Sequence, residues 1–354
     1  MTAPESLASV QMKPEDLARL LAGEVAAIAQ GWHTPVMIWG PPGIGKSEIV
    51  AQTARDHDLP LIDLRLSQLE PSDLRGIPYR VGTTVEWAPP ATLPQEERHG
   101  PRGILFLDEL TAALPTVAAA AYQLVLDRRL GDYRLPEGWL IIAAGNRVGD
   151  RGVAYAMPAP LANRFQHVWL RADVEQWLRW AERVGIDPRI RQFLRSHPQW
   201  LTDFDPMAEP MAFATPRSWV FADRVLKKSG GVAIDQLFLQ LAGCVGPKAA
   251  EAFVRAQRLD NALLERIWSE PAAAAVLNSE HQWALFEQLS QRLNDGQLHT
   301  SQALAIARYL PDAAVALAVV KLLRERLGED LYRDPAFSEF SAARAAELVD
   351  VASD

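Results

Sequence analysis

The sequence predicts an α/β domain built on a parallel sheet, followed by a chain that is helical to its end. Three observations predict it. Short apolar runs of strand length recur up to Leu170, helical stretches separate most of them, and from Asp173 onward the pattern becomes almost wholly helical.

Pro14 to Gln30 carries Leu17, Leu20, Leu21, Val25 and Ile28 at helical spacing, with Pro14 suited to the first turn and Gly31 to the end. Val36-Met37-Ile38-Trp39 is a short strand entering a glycine-rich turn, and Glu48 onward reads as the helix that leaves it. Leu59 to Leu66, Ile104 to Leu107, Leu140 to Ala144 and Gln166 to Leu170 complete an expected parallel five-stranded sheet. Pro115 to Asp127 and Ala159 to Phe165 read as helices between strands. Two stretches, Tyr79 to Trp87 and Arg129 to Leu135, interrupt the alternation as two inserted β-hairpins, with Gly82 and Gly131 in their turns. Helices are then expected at Val174–Val184, Pro188–Ser196, Arg217–Lys228, Ile234–Val245 and Ala249–Leu259, and an alanine-rich helical pattern runs on from Asp260. The expected division is 1–171, 172–259 and 260–354.

With 354 residues, 49% of them hydrophobic, the chain can form two or three packed units. A formal net charge of −8 speaks against a sequence-independent nucleic-acid binder. Cys244 is the one cysteine, which excludes an internal disulfide and fits a reducing compartment, so a cytoplasmic location is expected. The first thirty residues lack the basic and apolar regions of a signal peptide. The apolar run Ala313–Val320 falls far short of the roughly 20 residues that span a bilayer, so no membrane insertion is expected.

The glycine-rich turn is Gly40-Pro41-Pro42-Gly43-Ile44-Gly45-Lys46-Ser47, which answers to G-x-x-x-x-G-K-[ST]. Its glycines let backbone N–H groups wrap phosphates, Lys46 reaches the β and γ oxygens, and the Ser47 hydroxyl suits Mg²⁺. ATP and Mg are therefore the expected ligands. Ile104-Leu105-Phe106-Leu107-Asp108-Glu109 is a buried strand that delivers two acids to the sheet edge. Asp108 is placed to hold Mg²⁺ through water, and Glu109 to act as general base on an attacking water. Asn146 ends the strand Leu140–Gly145, where its amide would help orient that water; loop capping is the alternative. Arg164, in Leu161-Ala162-Asn163-Arg164-Phe165, is the candidate arginine finger, with Arg147 and Arg151 as rivals. Arg217 opens a helix of the second unit within Thr215-Pro216-Arg217-Ser218. The histidines lie in no metal-ligand spacing, so no structural metal is expected. Trp39 and the other tryptophans read as core packing.

With these motifs in this order, residues 14 to 258 resemble the AAA+ superfamily, and within it the MoxR-like branch. The two hairpins, around Gly76–Pro90 and Arg128–Gly138, resemble the insertions of the clade that includes MoxR, magnesium chelatase and MCM-type ATPases. The resemblance implies Walker A at Gly40–Ser47, Walker B at Asp108 and Glu109, sensor 1 at Asn146, the finger at Arg164 and sensor 2 at Arg217. The chain departs from many relatives in having Asn146-Arg147 and Asn163-Arg164 where they have Asn-Pro and Asp-Arg. It implies an all-α lid, a homo-oligomeric and usually hexameric ring, and chaperone-like work on a protein client or a von Willebrand factor A domain partner. Tyr79, Trp87 and Tyr133 on the hairpins would touch pore or partner, or merely buttress the hairpins. A nucleic-acid motor of the same clade and a non-catalytic ATP-dependent scaffold are the alternative functions.

Overall fold

The computed structural model describes residues 11–146, 155–205, 211–230, 232–257 and 261–345. The expected five strands are six. Strands β1 (Gln11–Met12), β2 (Val36–Trp39), β3 (Leu61–Arg65), β6 (Arg102–Asp108), β9 (Gly138–Gly145) and β10 (Gln166–Leu170) form one wholly parallel sheet. Its order is β1-β10-β2-β9-β6-β3. The additional edge strand β1 has two residues, too few to carry a periodic pattern in the sequence.

The other four strands form the two hairpins. β4 (Ile77–Val81) pairs antiparallel with β5 (Thr84–Ala88), and β7 (Arg129–Leu130) with β8 (Tyr133–Arg134). Both faces of the first hairpin are exposed, including Ile77, Tyr79, Val85 and Trp87. Tyr133 differs: it is partly buried, its hydroxyl donates to the Pro94 carbonyl at 2.6 Å, and burial pushes its phenol up. Tyr133 thus buttresses its hairpin against the core.

The central strands are buried on both faces, and alternate residues of β2, β6 and β9 feed two different cores. Ile104, Phe106, Leu140, Ile142, Val36 and Ile38 join helices α1 (Pro14–Ala27) and α2 (Lys46–Asp56) in one. Leu105, Leu107, Ile141, Ala143 and Met37 join Leu74 of α3 (Pro71–Arg75) and α5 (Pro115–Asp127) in the other, with Leu161 of α6 (Ala159–Ala162); α4 (Glu96–His99) lies between α3 and α5 in the chain. That is why the strands read as unbroken apolar runs rather than alternating ones. Burying an Ile or Phe of this kind contributes about 1.5–3 kcal/mol each.

The described chain divides into two compact units. One holds the residues through Trp177, with Thr215–Arg217; the other holds Leu178–Asp203 and the chain from Ser218. Helices continue as α7 (Val174–Arg183), α8 (Pro188–Ser196), α9 (Pro216–Lys228), α10 (Phe238–Val245) and α11 (Pro247–Ala256). Then come α12 (Asn261–Ser269), α13 (Ser279–Asn294), α14 (Thr300–Tyr309), α15 (Ala313–Leu327) and α16 (Pro335–Ala343). Within the second unit Phe193, Trp219 and Phe253 pack ring against ring. The last helices enclose a core of their own, running from Ile267 to Phe340. Buried Arg189 bridges Asp187 at 2.8 Å and Glu287 of α13 at 2.9 Å, which pairs a guanidinium that would be costly to bury alone. Among the described residues no helix is long and apolar enough to cross a membrane.

Candidate nucleotide site

Four neighbouring strands, β2, β9, β6 and β3, end side by side and place the sequence-predicted groups in a row. In an open parallel sheet the carboxyl ends of the strands are where ligands bind, because helix N-termini and loops converge there. The row starts at the glycine turn after β2. Gly43 and Gly45 take φ of 75° and 106°, left-handed values that a side chain strains to adopt. A Cβ on Gly43 would lie 2.8 Å from the Thr215 hydroxyl, and the Arg217 N–H donates to the Gly43 carbonyl at 3.2 Å. The Thr215-Pro216-Arg217 segment therefore docks on the turn itself and leaves Arg217 exposed beside it. Pro41, Pro42 and Ile44 complete the turn, and α2 starts at Lys46 with its positive end facing it.

Lys46 Nζ donates to the carbonyls of Gly40 at 2.5 Å and Pro41 at 3.1 Å, and to Asn146 Oδ1 at 2.9 Å. Asn146, at the end of β9, thus meets the P-loop lysine directly. Its backbone is fixed by Thr111, whose buried hydroxyl donates to the Asn146 carbonyl at 3.0 Å and accepts its N–H at 3.2 Å.

Ser47 Oγ donates to Asp108 Oδ2 at 2.9 Å, so the two predicted Mg²⁺ ligands are already adjacent. A hydroxyl and a buried carboxylate are hard oxygen donors of the kind that Mg²⁺ takes alongside its waters, so the residues fit the ion. Asp108 closes β6 within the sheet, whereas Glu109 steps out of it at φ 56°, ψ 33° and is exposed. A left-handed glutamate is strained, and such strain persists only where its surroundings enforce it. Two hydrogen bonds do so here: the Glu109 N–H donates to Asp108 Oδ1 at 2.8 Å, and the Ser67 hydroxyl donates to Glu109 Oε2. Asp63, on β3, completes the acidic side of the row; burial, then the nearby Asp108 carboxylate, pushes its carboxyl up, against the pull of Arg65.

Arg164 lies exposed in the turn after α6, its N–H bonded to the Leu161 carbonyl at 2.9 Å. Arg147 and Arg151, its rivals, lie outside the described residues. Ser67 and Thr111 escape sequence reasoning because neither belongs to a motif. Each acts through a partner 42 or 35 positions away.

Fold, glycine turn and strand-end acids define a P-loop nucleotide-binding protein. Residues 36–170 match the family model described as "ATPase family associated with various cellular activities (AAA)". Residues 36–170 thus carry the AAA ATPase match. The chain is 30% identical over 136 residues to the denitrification regulatory protein NirQ of Stutzerimonas stutzeri, covering 36% of this chain and 48% of that protein. It is 32% identical over 109 residues to NirQ of Pseudomonas aeruginosa, covering 30% and 41%. The chain thus spans about half the length of the relatives it matches. Among solved structures it is similar to a RuvB variant of Thermotoga maritima (17% identity, 72% of this chain and 75% of that one, TM-score 0.38). It is also similar to NtrX of Brucella abortus in complex with ADP (16% identity, 91% and 70%, TM-score 0.41).

Proposed function

We propose that this protein hydrolyses Mg·ATP and that an oligomeric ring, of six subunits, uses the cycle to remodel or activate a partner protein. The row of bonded pairs across adjacent strand ends, Lys46 with Asn146, Ser47 with Asp108 and Ser67 with Glu109, carries this reading. A structural turn would have no reason to align a cation, a hydroxyl–carboxylate pair and a strained glutamate.

In this reading the backbone of Gly40–Ser47 cradles the phosphates and Lys46 neutralises the β and γ oxygens. Ser47 and Asp108 would hold Mg²⁺, which would neutralise phosphate charge. Glu109 accepts the proton of the attacking water, Asn146 orients that water, and ADP and phosphate leave. Arg217 reads the nucleotide from the segment docked on Gly43. Arg164 is the finger offered to the next subunit, an addition worth roughly 10³ to 10⁵ in rate.

The three-part division 1–171, 172–259 and 260–354 is proposed as motor, lid and C-terminal extension; the separate apolar core between Ile267 and Phe340 supports the last. Exposed Tyr79 and Trp87 on the first hairpin are proposed contact elements for a client or a von Willebrand factor A domain partner. The regulatory role named for the two NirQ proteins points the same way.

The test is the solution mass of the Glu109→Gln protein with and without Mg·ATP, followed by capture of partners on the assembly that forms. A nucleotide-dependent ring that retains a particular protein is the expected result. A monomer under every condition would overturn the ring and the trans finger together.

A further inference from the structure

Trp39, the last residue of β2, directly precedes the glycine turn, and opposite it on β10 lies Trp169. The Trp39 ring stacks on Trp169 with centroids 5.7 Å apart and on His167 with centroids 5.9 Å apart. The Trp39 indole N–H donates to His167 Nδ1 at 2.9 Å. An indole nitrogen can only donate, so Nδ1 must be the unprotonated nitrogen of the ring. The imidazole proton is thereby placed on Nε2, which lies 2.8 Å from the Ala162 carbonyl and donates to it. Ala162 closes α6, and its carbonyl also accepts the Phe165 N–H at 3.2 Å, so it is shared between the turn and His167. Two residues further on stands Arg164. Phe165, edge-on to His167 at 6.2 Å, closes the turn from the other side.

We propose that His167 is the positioning residue for Arg164. Held in one tautomer by Trp39, it ties the C-terminal end of α6 to the strand that leads into the P-loop, and so sets where the finger is presented to the neighbouring subunit. This rests on the reading of Arg164 as a trans finger. A donor on one side and an acceptor on the other, both within ordinary hydrogen-bond distance, make the ring a fixed strut rather than core filling. His167 would then govern hydrolysis at a site that it does not touch, on another subunit, while its own subunit still binds nucleotide normally.

The experiment uses full-length assemblies of His167→Asn, which keeps an acceptor for Trp39 but loses the donor to Ala162, and His167→Gln, whose amide can still reach Ala162. Turnover, affinity for a fluorescent ATP analogue and thermal midpoint are measured for each, alone and mixed with excess Glu109→Gln subunits. Those subunits cannot hydrolyse but carry an intact Arg164. Arg164→Ala is mixed in the same way as the reference. Loss of one such bond corresponds to about tenfold in rate, so His167→Asn is expected to lose about that factor at unchanged nucleotide affinity. The Glu109→Gln neighbours should restore it, and His167→Gln should lose much less. If Arg164→Ala is restored by mixing but His167→Asn is not, His167 acts on its own site and the proposal falls while the finger reading stands. If Arg164→Ala is not restored, the finger reading falls and takes this proposal with it. Should His167→Asn lose its thermal transition, Trp39→Phe, which keeps the stack and removes the donor, takes its place with the same criterion.

Discussion

The Ser67 hydroxyl donates to the carboxylate of Glu109, joining the turn after β3 to the residue that follows β6. This bond anchors the carboxylate of the proposed general base and, with the Asp108 carboxylate on its N–H, stabilises a left-handed backbone. The two strands are neighbours with Arg65 opposite Asp108, so the register alone brings Ser67 within reach.

Ser67→Ala is expected to lower ATP turnover by about two- to tenfold, the worth of one solvent-exposed hydrogen bond of about 0.5–1.5 kcal/mol, with nucleotide affinity unchanged. Glu109→Gln should lose roughly 10² to 10⁴ in turnover, the span of general-base catalysis. Steady-state hydrolysis beside equilibrium binding checks both. Equal losses in the two variants would make Ser67 as important as the base itself and contradict its supporting role.

Thr111→Val removes the hydroxyl that bonds both backbone groups of Asn146. We expect a stability loss of about 1–3 kcal/mol in chemical denaturation, because buried polar groups are left unpaired. Turnover should fall without a matching loss of affinity, since the Asn146 amide would no longer be held at Lys46.

Gly43→Ala combines a left-handed φ of 75° with a new methyl 2.8 Å from the Thr215 hydroxyl. The variant should cost about 1–3 kcal/mol in strain and weaken ATP binding by at least about tenfold, which a titration reads directly. Removing the hydroxyl in a Gly43→Ala/Thr215→Val double variant should not restore binding, because the backbone strain and the crowding persist.

His33 tests the pH dependence. Burial, with the Arg128 cation beside it, holds its imidazole below the ordinary 6.5. The unfolded chain therefore binds the proton more readily, so stability is full above 6.5 and falls as pH drops through the folded value. Between about pH 7.5 and pH 5.5, the range in which histidine titrates, the thermal midpoint of the parent should fall more than that of His33→Gln. Identical slopes would remove His33 from the pH response.

The core of the site was readable because its signals are local. Eight contiguous residues, Gly40–Ser47, describe the turn, and an apolar run ending in Asp108-Glu109 describes a strand that surfaces at its carboxyl end. Asn146 was found by the same logic. The two-residue strand at Gln11 has no period to read, and of the two roles open to Tyr133 the structure takes the buttress, its hydroxyl donating to the Pro94 carbonyl. Trp39 reads as core packing and His167 only as a histidine outside any metal-ligand spacing, because stacking and hydrogen bonding between strands leave no spacing rule in the chain.

By itself, then, the amino-acid sequence determined the α/β class, the glycine turn, the two acids at the end of β6 and the helical second half, all written in short-range pattern and residue chemistry. Only the tertiary structure decided that Lys46 meets Asn146, that Ser67 holds Glu109, that Thr111 fixes Asn146 and that His167 links Trp39 to the arginine turn. Those pairings depend on the strand order β10-β2-β9-β6-β3 and its register, which arise from packing a sheet between two cores and are set by contacts between residues distant in sequence.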